Sequence, residues 1–168
     1  MLKNWNKPRC PEEEELLTRL KAARERLTVQ QMQIKEKKLP VLILFEGWGA
    51  AGKGSVLGKV IRNIDPRFFQ VATMGKPTEE EARKPFLYRY FVQIPEAGKF
   101  KFLDGGWMDE ITQAVLYKKT DEEHYKEQIE SVRRFERQLT DNGYLVVKFF
   151  FQISEKEQKK RLELMPVA

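Results

Sequence analysis

The chain predicts a three-layer α/β/α fold built on a parallel sheet, on three observations. Val41-Leu42-Ile43-Leu44-Phe45 is an unbroken apolar run of strand length, as expected of a strand covered on both faces. Apolar strand-length runs alternate with helix-spaced segments along the rest of the sequence. A glycine-rich turn joins the first run directly to a helix. At 168 residues and 41% hydrophobic content, a single domain over residues 1–168 is expected, with residues 1–11 as a flexible tail.

Taken in order, Pro11 followed by Glu12, Glu13, Glu14 and Glu15 reads as a helix start, since proline suits a first turn and carboxylates complement the positive end of the dipole. Leu16, Leu20, Ala23, Leu27 and Ile34 recur at helical spacing through Lys38. That stripe is expected to pack in the core; it lapses at Gln30 and Gln31, which argues against a coiled coil. Pro40 ends the helix before the first strand. Residues 55–64 read as a helix stopped by Asp65-Pro66, 68–73 as a second strand, and 79–94 as mostly helical with a break at Pro85. Pro95-Glu96-Ala97-Gly98 turns into a third strand, 100–104, which ends in a carboxylate. Helices over 108–117 and 121–139 follow, the second with Asp121 at its start and Asp141-Asn142-Gly143 as its stop. Residues 144–151, rich in valine and phenylalanine, form a strand, and Ser154-Glu155-Lys156-Glu157 opens a last helix with a capping-box pattern. Neither an internal repeat nor a linker interrupts this order.

Lys plus Arg number 31 against 25 Asp plus Glu, a formal net charge of +6 that favours anionic partners. The charge alone does not choose among nucleic acid, acidic membrane, nucleotides and phosphate polymers. Nucleic acid rests on that charge only, because no recognised binding module is present. Cys10 is the only cysteine, so neither an intrachain disulfide nor a cysteine metal site can form, and the cytoplasm is the expected compartment. The first residues lack the apolar core of a signal peptide, and no stretch approaches the ~18 apolar residues of a membrane span.

The chemistry concentrates after the first strand. Gly47-Trp48-Gly49-Ala50-Ala51-Gly52-Lys53-Gly54-Ser55 matches the P-loop spacing G-x-x-x-x-G-K, with Gly54 where the pattern has a hydroxyl and Ser55 one place later. Small residues let backbone amides turn inward around a phosphate, the helix start adds its dipole, and Lys53 supplies charge for the outer phosphates. A turn that binds nothing is the bland alternative, but packing does not account for the lysine. Asp104, at the end of the third strand, is placed to hold Mg²⁺ beside such phosphates; a turn or capping role competes.

Three stretches in order carry a family resemblance. They are Phe45 to Gly54; Ile94-Pro95-Glu96-Ala97-Gly98 before Phe102-Leu103-Asp104; and Arg134-Phe135-Glu136-Arg137-Gln138-Leu139 before Val147-Lys148-Phe149. Together they resemble the polyphosphate kinase 2 family over roughly residues 16–164. The resemblance implies a fold similar to thymidylate kinases and Mg²⁺-dependent phosphoryl transfer between inorganic polyphosphate and a nucleotide such as AMP, ADP or ATP. Lys53 and Asp104 would be its catalytic residues, with Asp104 on Mg²⁺ and the amides of residues 47–55 cradling phosphates.

The sequence departs from the family at three points. Gly49 stands where the family carries an aspartate, Gly105 where it carries an arginine, and the sequence stops at Ala168, ahead of the family's arginine-bearing lid. Losing one well-placed charge costs about a hundredfold in rate, so impaired catalysis is expected, with binding surviving better. The pattern resembles the degenerate first copy of a two-copy member of the polyphosphate:AMP phosphotransferase type. Pairing with an active sister domain, or a homo-oligomer, would follow.

Weaker candidates are Lys76 and Arg89, in the stretch resembling the family's acceptor region, for which surface solvation competes with substrate contact. Arg133, Arg134 and Arg137 are expected to pair with Glu130 or Glu136 on their own helix. His124 is expected to be exposed, and Trp48 and Trp107 to pack at the core or rim rather than stack on a base.

Overall fold

The computed structural model describes residues 11–164; the expected tail before Pro11 and Cys10 lie outside the described residues. Four strands form one parallel sheet in the order β2-β3-β1-β4: β1 (Val41–Gly47), β2 (Phe69–Thr73), β3 (Phe100–Asp104) and β4 (Leu145–Phe151). The apolar run of residues 41–45 takes the interior position that its lack of alternation demanded. In register, Phe45 lies beside Asp104 on one side and Phe149 on the other.

Helices cover both faces. Below the sheet, α1 (Glu13–Glu36) and α2 (Lys53–Ile61) close a core of Val41, Phe45, Leu57, Ile64, Phe100 and Phe102. Opposite lie α5 (Trp107–Leu116) and α6 (Glu122–Asp141), over a second core that includes Leu42, Leu44, Leu103, Trp107, Ile111 and Phe135. Between β2 and β3 come two single turns, α3 (Glu79–Ala82) and α4 (Tyr88–Phe91), and α7 (Glu155–Glu163) follows β4. Among the described residues no helix is long and apolar enough to cross a membrane.

The structure corrects the sequence reading in three places. Only the far end of the α1 stripe packs: Leu27 and Ile34 join the lower core, whereas Leu16, Leu17 and Leu20 stay exposed. The reason is length. Twenty-four helical residues rise ~36 Å, while a seven-residue strand spans ~23 Å, so α1 overshoots the sheet. Its polar lapse is structural, since buried Gln31 accepts the Asp65 amide at 3.1 Å. The helical stretch expected over 79–94 shrinks to α3 and α4. Pro85 has no amide to continue a helix and disfavours helical backbone at Lys84, and a Thr78–Glu81 capping box closes α3 on itself. Finally, α2 starts at Lys53 rather than Ser55, capped by the left-handed backbone of Gly52.

Candidate phosphate site

The candidate residues gather at the carboxyl end of the sheet, where β1 passes into α2. Gly47 closes β1 with φ +127°, and a Cβ there would lie 2.2 Å from the Phe151 carbonyl oxygen of β4. Only glycine fits so close an approach. The Trp48 amide donates to that same carbonyl at 3.0 Å, and the Ala51 amide to the Trp48 carbonyl at 3.2 Å. Ala50 and Gly52, both left-handed, then swing the chain into the helix. The amides of Lys53, Gly54 and Ser55 occupy the first turn of α2, where no carbonyl of their own helix can reach them. A strand end, a tight loop and an open helix start are thus in the arrangement that suits a phosphate.

Lys53 lies back along this loop. Its Nζ donates to the Gly47 carbonyl at 2.6 Å and sits 3.6 Å from Asp109 Oδ2, with both side chains mostly buried. Asp104 reaches the same place from β3, its Oδ2 3.8 Å from where a Cβ on Gly54 would stand. The two residues singled out for chemistry, Lys53 and Asp104, are therefore neighbours in space.

Two further carboxylates belong to this neighbourhood, and sequence reasoning missed both. Asp109, in the first turn of α5, accepts the Gly47 amide on Oδ1 at 2.8 Å. Burial pushes its carboxyl above the ordinary range and the charge of Asp104 adds to that, outweighing the opposite pull of the Gly47 amide and Lys53. The 3.6 Å ion pair alone would predict a lowered value; desolvation wins because the lysine contact is long. Glu46 is 4% exposed and accepts the Met108 amide at 2.9 Å. Its carboxyl is raised by burial, with Asp109 and Glu136 adding to the shift against the Met108 amide and Lys148. An acid in a helix's first turn is ordinary dipole chemistry, so nothing in the spacing marked Asp109 as a partner of the loop.

From the far side, α7 closes on the loop. Gln158 Nε2 donates to the Gly49 carbonyl at 3.0 Å and Arg161 Nη1 to the Ala50 carbonyl at 3.2 Å.

The remaining candidates scatter. Arg89 is buried rather than solvated, donating to the Gly75 carbonyl at 2.8 Å with Glu110 at 3.5 Å and Glu81 at 3.9 Å. Lys76 is exposed beyond β2 and makes no hydrogen bond or ion pair among the described residues. Trp48 is a half-exposed rim residue, while Trp107 is fully buried and donates to Glu136 at 2.9 Å. On α6, Arg133 pairs with Glu130 as expected, but Arg137 pairs with Asp141. His124 is exposed, 3.6 Å from Glu127.

For Mg²⁺, no group of three or more His, Cys, Asp or Glu side chains converges as a metal site among the described residues. Mg²⁺ rarely needs such a cage: it keeps waters and takes one or two carboxylates plus the substrate's phosphates. Asp104 beside the loop, with Asp109 behind it, fits that kind of donor set.

Comparison with known proteins points the same way. The family model for polyphosphate kinase 2 matches residues 11–165. A polyphosphate:AMP phosphotransferase of Pseudomonas syringae is 32% identical over 142 residues, 84% of this chain and 28% of the relative. ADP-polyphosphate phosphotransferase 3 of Rhizobium meliloti is 31% identical over 82% of this chain and 48% of its own length. The chain thus spans less than half of these relatives. Among solved structures, polyphosphate kinase 2 from Arthrobacter aurescens superposes with a TM-score of 0.82 at 29% identity, over 86% of this chain and 53% of that one. A Pseudomonas aeruginosa chain assigned to the same group reaches 0.87 at 29% identity, over 96% and 36%. A loop that can seat phosphate, a carboxylate at the neighbouring strand end and a match along nearly the whole sequence make this chain a member of the polyphosphate kinase 2 family.

Proposed function

We propose that this chain binds the phosphate chain of inorganic polyphosphate or of a nucleotide on the loop of residues 47–55, and that it transfers phosphoryl groups between the two only slowly on its own. The observation that carries the reading is the convergence of Lys53, Asp104 and the open amides of α2 at one end of the sheet. Phosphoryl transfer breaks a terminal phosphoanhydride bond of the donor and makes one to a phosphate oxygen of the acceptor, and it depends on positioning and charge neutralisation. The loop amides hold the phosphates and Lys53 meets the transferred group; Asp104 with Asp109 would hold Mg²⁺, which would supply further neutralisation. To meet a phosphoryl oxygen, Lys53 gives up its contact with Asp109.

Slow transfer follows from the charges the site lacks at Gly49 and Gly105. Position 49 has room for a side chain, since a Cβ there would meet only Gln158 Nε2, at 3.7 Å. Position 105 does not: φ is +90° and a Cβ would press on the Met74 carbonyl at 3.1 Å, so an arginine there would be strained. A non-catalytic role, holding phosphate beside an active sister domain, is the second reading. It is favoured by the close engagement of Lys53 with its own loop.

Titration with polyphosphate, ATP and AMP, with and without Mg²⁺, tests binding. Lys53→Ala should weaken polyphosphate and ATP by about tenfold or more; equal affinity in the mutant would remove the loop from the argument. Gly49→Asp separates the two readings, since it should raise polyphosphate-to-nucleotide transfer if the chain is an impaired enzyme. No change would leave the non-catalytic role.

A further inference from the structure

We infer that the overhanging half of α1 is an interface between two copies of this chain, paired antiparallel about a two-fold axis near Thr18. Every residue from Glu12 to Arg26 is exposed, so roughly four turns of helix stand without a buried side chain. An isolated helix of that length is marginal in water. Its apolar side nevertheless continues the part that packs: Leu16, Leu20 and Ala23 extend the face that Leu27 and Ile34 press onto the lower core, and Leu17 widens it. Leu16, Leu17 and Leu20 are 44%, 60% and 45% exposed. Leucines on adjacent turns make a patch rather than scattered surface residues, and a patch of this kind marks a contact site.

The charges on this half choose the occupant. Glu12, Glu13, Glu14 and Glu15 fill its start; Arg19, Lys21, Arg24 and Arg26 follow, with Glu25 the one acid among them. A second α1 laid parallel would set acid on acid and base on base, whereas laid antiparallel it sets each acidic start on the partner's basic stretch. The flanks agree in register. Glu13 and Arg24, about three turns apart, lie on one side of the leucine face, and Glu12 and Arg26 lie on the other. With Leu16 set against the partner's Leu20, Glu13 comes level with the partner's Arg24 and Glu12 with the partner's Arg26, each to within ~3 Å of helical rise. Identical faces paired in this way close on a two-fold axis and recruit no further copies. The contact ends before Gln30 and Gln31, so the polar lapse that argues against a long coiled coil does not interrupt it. Because α1 projects past the sheet, antiparallel overhangs also leave the two bodies at opposite ends of the pair, clear of each other. So short a contact falls at the small end of interfaces, and a micromolar dissociation constant is expected.

Sedimentation velocity on the full chain at low salt, from about 1 to about 200 µM, tests this, with circular dichroism checking that each variant keeps its fold. Wild type should pass from monomer to dimer over that range. Leu16→Gln combined with Leu20→Gln keeps good helix formers and should stay monomeric throughout. Glu12→Lys with Glu13→Lys, and separately Arg24→Glu with Arg26→Glu, should each weaken self-association by about tenfold or more, because like charges then face each other. Mixed in equal amounts, these two charge variants meet with opposite signs, and dimer should recover to within about threefold of wild type. That recovery separates lost pairing from a frayed helix start. A wild-type chain that remains monomeric at the highest concentration overturns the inference, and so does a Leu16→Gln, Leu20→Gln variant that dimerises as wild type does. Charge variants that each dimerise as wild type does, or a mixture no better than either alone, overturn the antiparallel pairing. None of these substitutions touches residues 47–55, so the outcome is independent of the phosphate site.

Discussion

Lys53 and Asp109 face each other across the first glycine of the loop, and each holds a different atom of it: the ammonium takes the Gly47 carbonyl and the carboxylate takes the Gly47 amide. An incoming anion gains from the first residue and is repelled by the second. Asp109→Asn keeps an oxygen for the amide and removes the charge 3.6 Å from the ammonium. Without divalent metal, tripolyphosphate should bind this variant about fivefold more tightly, on the order of 1 kcal/mol for one charge of a partly buried pair. Calorimetry at low salt measures it, and unchanged or weaker affinity would show that Asp109 acts through the backbone alone. At this scale the sequence exposed half of the arrangement. Lys53 was legible because G-x-x-x-x-G-K is a spacing with a mechanism, and Asp104 only because such a lysine gives weight to a strand-end carboxylate that alone says little. Asp109 and Glu46 were illegible because their roles depend on which backbone amides the fold brings to them, and an acid at a helix start has an ordinary explanation.

Strands covered on both faces were the most legible elements, and β3 begins and ends where its apolar run does. Helices read less well wherever their ends depend on something other than a side chain. Gly52 caps α2 through backbone conformation alone, and the reach of α1 beyond the sheet is a matter of comparative lengths. Trp48 and Trp107 show what periodicity leaves open. One follows the first glycine of the loop and the other lies three residues past Asp104, yet the first sits on the rim while the second anchors α5, edge-on to Tyr90 and Phe135 with no exposure. Trp107→Ala should cost about 3–5 kcal/mol, the range for deleting a large buried aromatic, and it should also leave Glu136 with only its contact to Lys148. Trp48→Ala should stay within about 0.5 kcal/mol, as surface changes do. Urea unfolding of the two variants checks the contrast; similar losses would mean that Trp48 is packed more tightly than its exposure indicates.

Across the whole molecule, an excess of positive charge surrounds a carboxylate-rich strand end, where Glu46 is nearly sealed from water and Asp109 is half-buried. That placement ties stability to pH in a definite sense. The folded-state carboxyl of Glu46 is raised above its unfolded value by burial, so the folded chain prefers it neutral. Its contribution is fully present below the ordinary carboxylate range and is lost as pH rises through the folded value. Glu46→Gln keeps an oxygen for the Met108 amide and never ionises. Thermal melts in steps from about pH 4 to pH 8 should therefore show wild type and variant converging at the acid end and separating above it, with the variant higher by about 2–4 °C for each kcal/mol involved. Asp65 titrates in the opposite sense, held down to about 2 by its hydrogen bonds with Arg67, so what it contributes is lost on acidification. Both proteins carry Asp65, which lies outside this cluster and cancels, so the difference between the two melting curves reports Glu46 together with its charge coupling to Asp109 and Glu136. A gap that stays constant with pH would mean that the Met108 hydrogen bond and the charge of Lys148 already balance the cost of burying this carboxylate.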